Sequence, residues 1–318
     1  MSLAFVFPGQ GSQAPGMGRD LAEAFPAARE VFEEVDEALK QRLSRLMFEG
    51  PAEELTLTAN AQPALMAVSV AVVRVLAKEG GFDLSRQVSL VAGHSLGEYS
   101  ALTAAGAFDL PTAARLLRLR GETMQKAVPA GEGAMAALLG AEAAQAQAIC
   151  EQAAANPEGA REVVEVANDN GGGQVVVSGK KAAVERAVEA AKAAGIKRAM
   201  LLPVSAPFHC SMMAPAADAM GEALEKAAMS HPAVPVVANV TAAPVSDPAM
   251  IRELLVKQVT GTVRWRECVA AMVAAGCTRF AEVGAGKVLT GLMKRNAPDA
   301  TAMAVGTPAD IEAFLKSL

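Results

Sequence analysis

Val88-Ser89-Leu90-Val91-Ala92-Gly93-His94-Ser95-Leu96-Gly97-Glu98-Tyr99-Ser100-Ala101-Leu102-Thr103-Ala104-Ala105-Gly106 decides how the chain is read. The apolar β-forming run at 88–92 meets Gly93-His94-Ser95-Leu96-Gly97, and a helix-forming segment follows, ending at Gly106 as a natural C-terminal cap. Strand, G-x-S-x-G turn and helix in that order form the context in which the pattern works as a nucleophile elbow. So tight a turn needs glycine on both flanks, for backbone angles and for clearance. Ser95 is thereby expected at the carboxyl end of a strand, with a helix N-terminus behind it. The free N–H groups and partial positive charge of that helix end favour an oxyanion.

The elbow lies in a longer alternation. A strand at 3–7 runs into Pro8-Gly9-Gln10-Gly11-Ser12-Gln13, and helical patterns follow at 20–48 and 63–79. The second has Pro63 at its start, where proline is tolerated. A further helix at 111–126 follows the elbow helix. Alternation of this kind predicts an α/β fold with a mostly parallel sheet covered on both faces. From 131 to 202 the texture changes. Strand 135–139, helix 141–154, strands 162–167 and 174–178 around Asn168-Asp169-Asn170-Gly171-Gly172-Gly173, helix 180–194 and strand 198–204 follow in order. That βαββαβ order is the ferredoxin-like signature. The expected organisation is a large α/β domain at 1–130 and 203–318 carrying an inserted subdomain at 131–202. Beyond the insert the α/β pattern resumes, with helices at 213–228, 251–259 and 265–275 and strands at 234–239 and 279–283. Gly284-Ala285-Gly286 turns the last of these into a helix at 287–295, and 301–318 reads as one more strand and helix.

Composition narrows the function classes. The chain has 318 residues, 52% of them hydrophobic, with 29 basic against 34 acidic side chains. A net charge of −5 and a single Trp and Tyr argue against a nucleic-acid partner. Cys150, Cys210, Cys268 and Cys277 show neither C-x-x-C pairing nor histidines at zinc spacing, so they read as reduced thiols of a cytoplasmic protein, and no metal is expected. The N-terminus lacks the basic flank of a signal peptide. The longest apolar stretch, 63–73, is interrupted by Ser69 and stopped by Arg74; it reads as a buried helix, with no membrane partner. Gly9-x-Gly11-x-x-Ala14 fits the loose dinucleotide fingerprint, but Pro15-Gly16-Met17-Gly18 stands where a helix should begin. Gly284-Ala285-Gly286-Lys287 has the wrong spacing for a phosphate loop, so no cofactor is expected.

A serine hydroxyl needs a base, and the chain has only three histidines. His94, inside the elbow, is expected to point away from Ser95 and pack. His231, in Ser230-His231-Pro232, reads as a surface residue. His209 follows strand 198–204 in Val204-Ser205-Ala206-Pro207-Phe208-His209-Cys210, where catalytic loops of open α/β sheets leave the sheet, and is the expected base. No acid between Ser95 and His209 stands out as a triad member; Asp169 sits in the hairpin loop. A backbone carbonyl or amide side chain is therefore expected to orient the histidine. The Gly9-Gln10-Gly11 loop is a candidate to bring a backbone N–H to an oxyanion.

Five separated motifs carry a resemblance: Phe7-Pro8-Gly9-Gln10-Gly11-Ser12-Gln13, Gly93-His94-Ser95-Leu96-Gly97-Glu98-Tyr99-Ser100-Ala101-Leu102, Arg120-Gly121 with Met124-Gln125, Pro207-Phe208-His209, and Glu282-Val283-Gly284-Ala285-Gly286-Lys287-Val288-Leu289. Together they resemble the malonyl-CoA:acyl carrier protein transacylases of bacterial fatty acid synthesis, relatives of polyketide acyltransferase domains. The resemblance implies a hydrolase-like α/β domain with a ferredoxin-like insert. It implies transfer of malonyl from malonyl-CoA to the phosphopantetheine thiol of acyl carrier protein through a malonyl-serine. Ser95 then resembles the nucleophile and His209 its base. The N–H groups of Gln10 and Leu96 resemble the oxyanion hole, and Gln258 resembles the residue whose main-chain carbonyl orients the histidine. Arg120 resembles the residue that pairs with the free malonyl carboxylate, although beside Arg115 and Arg118 it also reads as a solvated helix face. Ala285 departs from the proline that many members carry. Phe208, next to His209, is expected to crowd branched acyl groups. Lys180, Lys181, Arg186, Lys197 and Arg198 offer a basic patch for the carrier protein. The rival within enzymes is a serine hydrolase or esterase, with water as second acceptor. A third reading, a non-catalytic module, is disfavoured because serine, histidine and arginine are all retained.

Overall fold

A computed structural model describes residues 2–204 and 206–318. Met1 and Ser205, the latter within the quoted 204–210 loop, lie outside the described residues. Ten strands in the described residues make two sheets: β1 (Ser2–Phe7), β2 (Leu90–Gly93), β3 (Gly133–Leu139), β4 (Val164–Asp169), β5 (Gln174–Lys180), β6 (Arg198–Leu201), β7 (Val236–Ala238), β8 (Ala243–Val245), β9 (Cys277–Val283) and β10 (Thr301–Val305).

The larger sheet runs β10-β9-β1-β2-β7-β8, parallel except for the β7–β8 pair. It is the α/β fold that the alternation predicts. Its central strand shows why the sequence reads as an uninterrupted apolar run. Phe5 stacks on Phe82 and meets Phe314 edge-on, whereas Ala4 and Val6 pack on the other face with Trp265 and Met272. A strand buried on both faces needs apolar side chains at every position.

The helix expected to begin at Pro63 runs Thr58–Lys78, so Pro63 lies inside it. Proline there removes one backbone bond of the second turn, and burial of nearly the whole helix outweighs that loss. This helix is long and apolar enough to cross a membrane by length and composition alone, yet 83% of its apolar window is buried among its neighbours. The pattern at 20–48 resolves into Arg19–Ala24, Pro26–Leu39 and Leu43–Glu49. Pro26 opens the second helix and Lys40, at φ 50, ends it.

The smaller sheet is antiparallel, in the order β4-β5-β3-β6, with helices Ala143–Ala153 and Lys181–Ala193 packed on it. Leu138, Ile149, Val177 and Val184 belong to a hydrophobic cluster of its own. The β4–β5 turn carries Gly171, Gly172 and Gly173, all at positive φ. Next to that turn the hairpin meets the segment before helix Trp265–Ala274. Asp169 N–H donates to the Val263 carbonyl (3.0 Å), Val263 N–H to that of Ala167 (2.9 Å), and Arg266 Nε to Asp169 Oδ2 (2.9 Å). This contact carries Asn168 and Asn170 to the elbow.

Candidate active site

β2 ends at Gly93 and the elbow helix, Gly97–Ala104, begins four residues later. The flanking glycines serve clearance and not backbone angle. A Cβ on Gly93 would lie 1.8 Å from the Gly97 carbonyl, one on Gly97 would lie 2.3 Å from the Phe7 oxygen, and neither glycine is at positive φ. The unusual angle belongs to Ser95 itself, at φ 54. Non-glycine residues rarely adopt that conformation, and they do so where surrounding contacts enforce it.

Ser95 Oγ lies 2.7 Å from His209 Nε2, and His209 Nδ1 lies 2.9 Å from the Gln258 carbonyl oxygen. Because that carbonyl only accepts, Nδ1 carries the proton and Nε2 is free to accept the serine's. The orienting group is thus a main-chain carbonyl, one of the two alternatives open from sequence. Burial, and then the nearby positive charge of Arg120, push His209 down to about 3. His231 lies elsewhere, exposed, its Nδ1 3.1 Å from the Ser246 carbonyl oxygen.

Arg120 comes from helix Leu110–Lys126 and is 1% exposed, so it is not part of the solvated helix face. Its Nη1 donates to Gln62 Oε1 (2.8 Å), and its Nη2 donates to Gln258 Oε1 (2.9 Å) and to Ser95 Oγ (3.2 Å). The guanidinium carbon is 5.7 Å from the centre of the Tyr99 ring. Among the described residues no carboxylate forms an ion pair with it.

These groups open on a cavity of about 430 Å³, whose wall includes Gln10, Leu96 and Phe208. His94 lines it too. Its ring packs 5.7 Å from that of Trp265, as expected of a packing residue, but the side chain does not turn away from the site: Nε2 lies 2.8 Å from Asn170 Oδ1.

Sequence reading missed several polar residues here. Glu98 is buried; its Oε2 accepts from the Asn239 N–H (3.0 Å) and from Gln258 Nε2 (2.9 Å), and burial pushes it up to about 7. Gln258 Nε2 also donates to the Ser95 carbonyl oxygen (3.0 Å). Gln62 was hidden in an apolar helix, where an unexplained amide was the available signal. Asn239 follows β7, the parallel neighbour of the nucleophile strand; its place at that strand's carboxyl end was the signal. The basic patch is weaker than its sequence suggests. Glu162 bridges both Lys180 (2.8 Å) and Arg186 (2.8 Å), and its one negative charge offsets part of the patch.

A family model described as acyl transferase domain matches residues 4–309. The chain is 48% identical over 314 residues to the malonyl CoA-acyl carrier protein transacylase of Escherichia coli (strain K12), covering 99% of each. It superposes on a crystal structure of acyl-carrier-protein S-malonyltransferase from Bartonella henselae with a TM-score of 0.96 at 56% identity, covering 100% of this chain and 99% of that one. A malonyl-transacylase in complex with its type II polyketide acyl-carrier protein matches with a TM-score of 0.95 at 44% identity, covering 100% of both chains.

Proposed function

The chain belongs to the acyl transferase family, and from that premise we propose that it moves malonyl from malonyl-CoA to the phosphopantetheine thiol of acyl carrier protein through an ester on Ser95. The observation that carries this reading is Arg120, a buried guanidinium with only neutral partners, 3.2 Å from the hydroxyl of Ser95. A buried charge with no directly paired carboxylate is costly, and Glu98, itself pushed up to about 7 by burial, acts on it only through space. An acyl group with a free carboxylate supplies that counter-charge, and arginine's planar fork binds it at two points.

The geometry supports the following chemistry. Ser95 Oγ attacks the thioester carbonyl while His209 Nε2 takes its proton. The N–H groups of Gln10 and Leu96 receive the oxyanion, each such donor being worth about 3 kcal/mol in the transition state. Collapse breaks the C–S bond, and His209 returns its proton to the departing CoA thiolate. The carrier thiol then gives its proton to His209, attacks the malonyl ester and leaves with the acyl group, and Ser95 regains its proton. The Gln258 carbonyl fixes the histidine tautomer throughout, and Phe208 limits the bulk of the acyl chain. We take residues 131–202 as the inserted ferredoxin-like subdomain and 1–130 with 203–318 as the catalytic body. The separate hydrophobic cluster of the small sheet supports that division. The four cysteines, all free, fit the proposed cytoplasmic setting.

Intact-mass measurement tests the reading. Mixing with malonyl-CoA is expected to add one malonyl group, mapped to Ser95, which carrier-protein thiol removes much faster than water does. Hydrolysis outpacing transfer would instead make the enzyme an esterase.

The base works unprotonated, and its depressed pKa keeps it so well below neutrality. The kcat/KM for malonyl-CoA is therefore expected to stay level from pH 8 to pH 5, without the fall near pH 6.5 that an ordinary histidine produces. Glu98 takes up a proton within this range, but its hydrogen bonds are accepted by Oε2 alone, so a proton on Oε1 leaves them intact. An acid limb with a midpoint between pH 6 and 7 that persists in a Glu98→Gln variant would mean that His209 titrates normally.

A further inference from the structure

We propose that Asn239 is a positioning residue for Ser95, its side-chain amide holding the nucleophile's backbone in the left-handed conformation that aims Oγ at His209. The inference rests on Ser95 being the nucleophile. β7 pairs with β2 so that Val237 stands opposite Ala92, which brings Asn239 level with the elbow. Its side chain is fully buried and bridges the turn: Oδ1 accepts the Ser95 N–H (2.8 Å) and Nδ2 donates to the Gly93 carbonyl oxygen (2.7 Å). Both are backbone groups that the sheet leaves unpaired where the chain turns away, and buried backbone groups need partners. One amide serves both at once, because it carries an acceptor and a donor side by side.

The amide is itself held. The Asn239 backbone N–H donates to Glu98 Oε2 (3.0 Å), its carbonyl accepts the Arg264 N–H (3.1 Å), and its Oδ1 also accepts from Gln258 Nε2 (3.2 Å). Gln258 is the residue whose carbonyl orients His209. Nucleophile and base thus meet at Gln258, whose side chain bonds the Ser95 carbonyl and the Asn239 amide while its main-chain carbonyl holds His209. Asn239 does not line the cavity, so it acts on the reaction only through Ser95.

The test compares Asn239→Ala with the native protein in malonyl transfer and in labelling of Ser95 by a neutral fluorophosphonate, which needs the nucleophile but no carboxylate or thioester site. Loss of two buried hydrogen bonds at the turn is expected to lower kcat and the labelling rate together, by roughly tenfold or more, with KM within threefold. Labelling within threefold of the native rate, or a defect confined to KM, overturns the proposal. Asn239→Asp carries the same test should the alanine variant fail to fold. Its carboxylate keeps an acceptor for Ser95 but cannot donate to Gly93. It also faces Glu98 from the elbow helix, with Arg120 and His209 close by and the Cys268 thiol against the Ala238 carbonyl. Protonation restores the donor, so its labelling rate relative to native is expected to rise from pH 8 to pH 5, and a flat ratio counts against the idea. Absence of labelling in the native protein would instead remove Ser95 as nucleophile.

Discussion

A protein carrying Ser95→Ala is expected to take up no malonyl group and to transfer at least ~10⁴-fold more slowly than the native enzyme, the scale at which loss of an activated nucleophile falls. The adduct is read by mass and the rate by turnover with carrier protein. An undiminished adduct in this variant, including one mapped to Cys210 beside the base, would show that the nucleophile has been misassigned. The Cys210 thiol is buried and pushed up to about 11, which keeps it protonated and unreactive at neutral pH. Ser95→Gly separates chemistry from folding. Ser95 sits at φ 54, which costs a non-glycine residue about 1–2 kcal/mol. The glycine variant is expected to be as inactive as the alanine variant but to unfold at a higher denaturant concentration than it. Equal midpoints would mean that the elbow stores no strain.

Arg120→Ala is the second large effect, and its direction depends on the substrate. With malonyl-CoA the variant strands a desolvated carboxylate, a loss of about 3–5 kcal/mol by the rule for a broken buried pair. At about 1.4 kcal/mol per decade this is two to four decades in kcat/KM. An acetyl thioester carries no such charge, so its transfer is expected to survive. The malonyl-to-acetyl ratio is the quantity to measure, because damage from the orphaned oxygens of Gln62 and Gln258 cancels in it. A ratio within threefold of native would leave Arg120 without a role in recognition. Removing the guanidinium also removes one cause of the low His209 pKa, so the acid limit of acetyl transfer is expected to move upward in pH.

Asn239 and Gln62 show where sequence reading stops. Each is a single amide whose neighbours in the chain are apolar or unremarkable. Neither has a motif, because the partner that gives it a role is Ser95 or Arg120, far away along the chain. His94 misled in the opposite sense. Its alternation with Ser95 points it away from the nucleophile, and only the approach of the β4–β5 hairpin makes its side of the turn part of the same cavity.

What the sequence by itself determined is local: the strand–turn–helix at 88–106, the alternation that demands a parallel sheet, and the βαββαβ order of 131–202. These depend on periodicity, turn clearance and capping, whose physical causes lie within a few residues of each other. Histidine scarcity and the motif at 207–209 extended that reading to one long-range pair. For Arg120 and the Gln258 carbonyl the residues by themselves left alternatives open and only the motif resemblance pointed to a role; tertiary structure alone decided that Asn239 clamps the elbow and that Pro63 lies within a helix. The contacts of Ser95 with His209, of Arg120 with Gln258 and of Asn239 with Ser95 span 114, 138 and 144 residues. Hydrogen bonds and charges act over a few ångströms of space, and no local pattern specifies which distant residues the packed sheet will bring within that range.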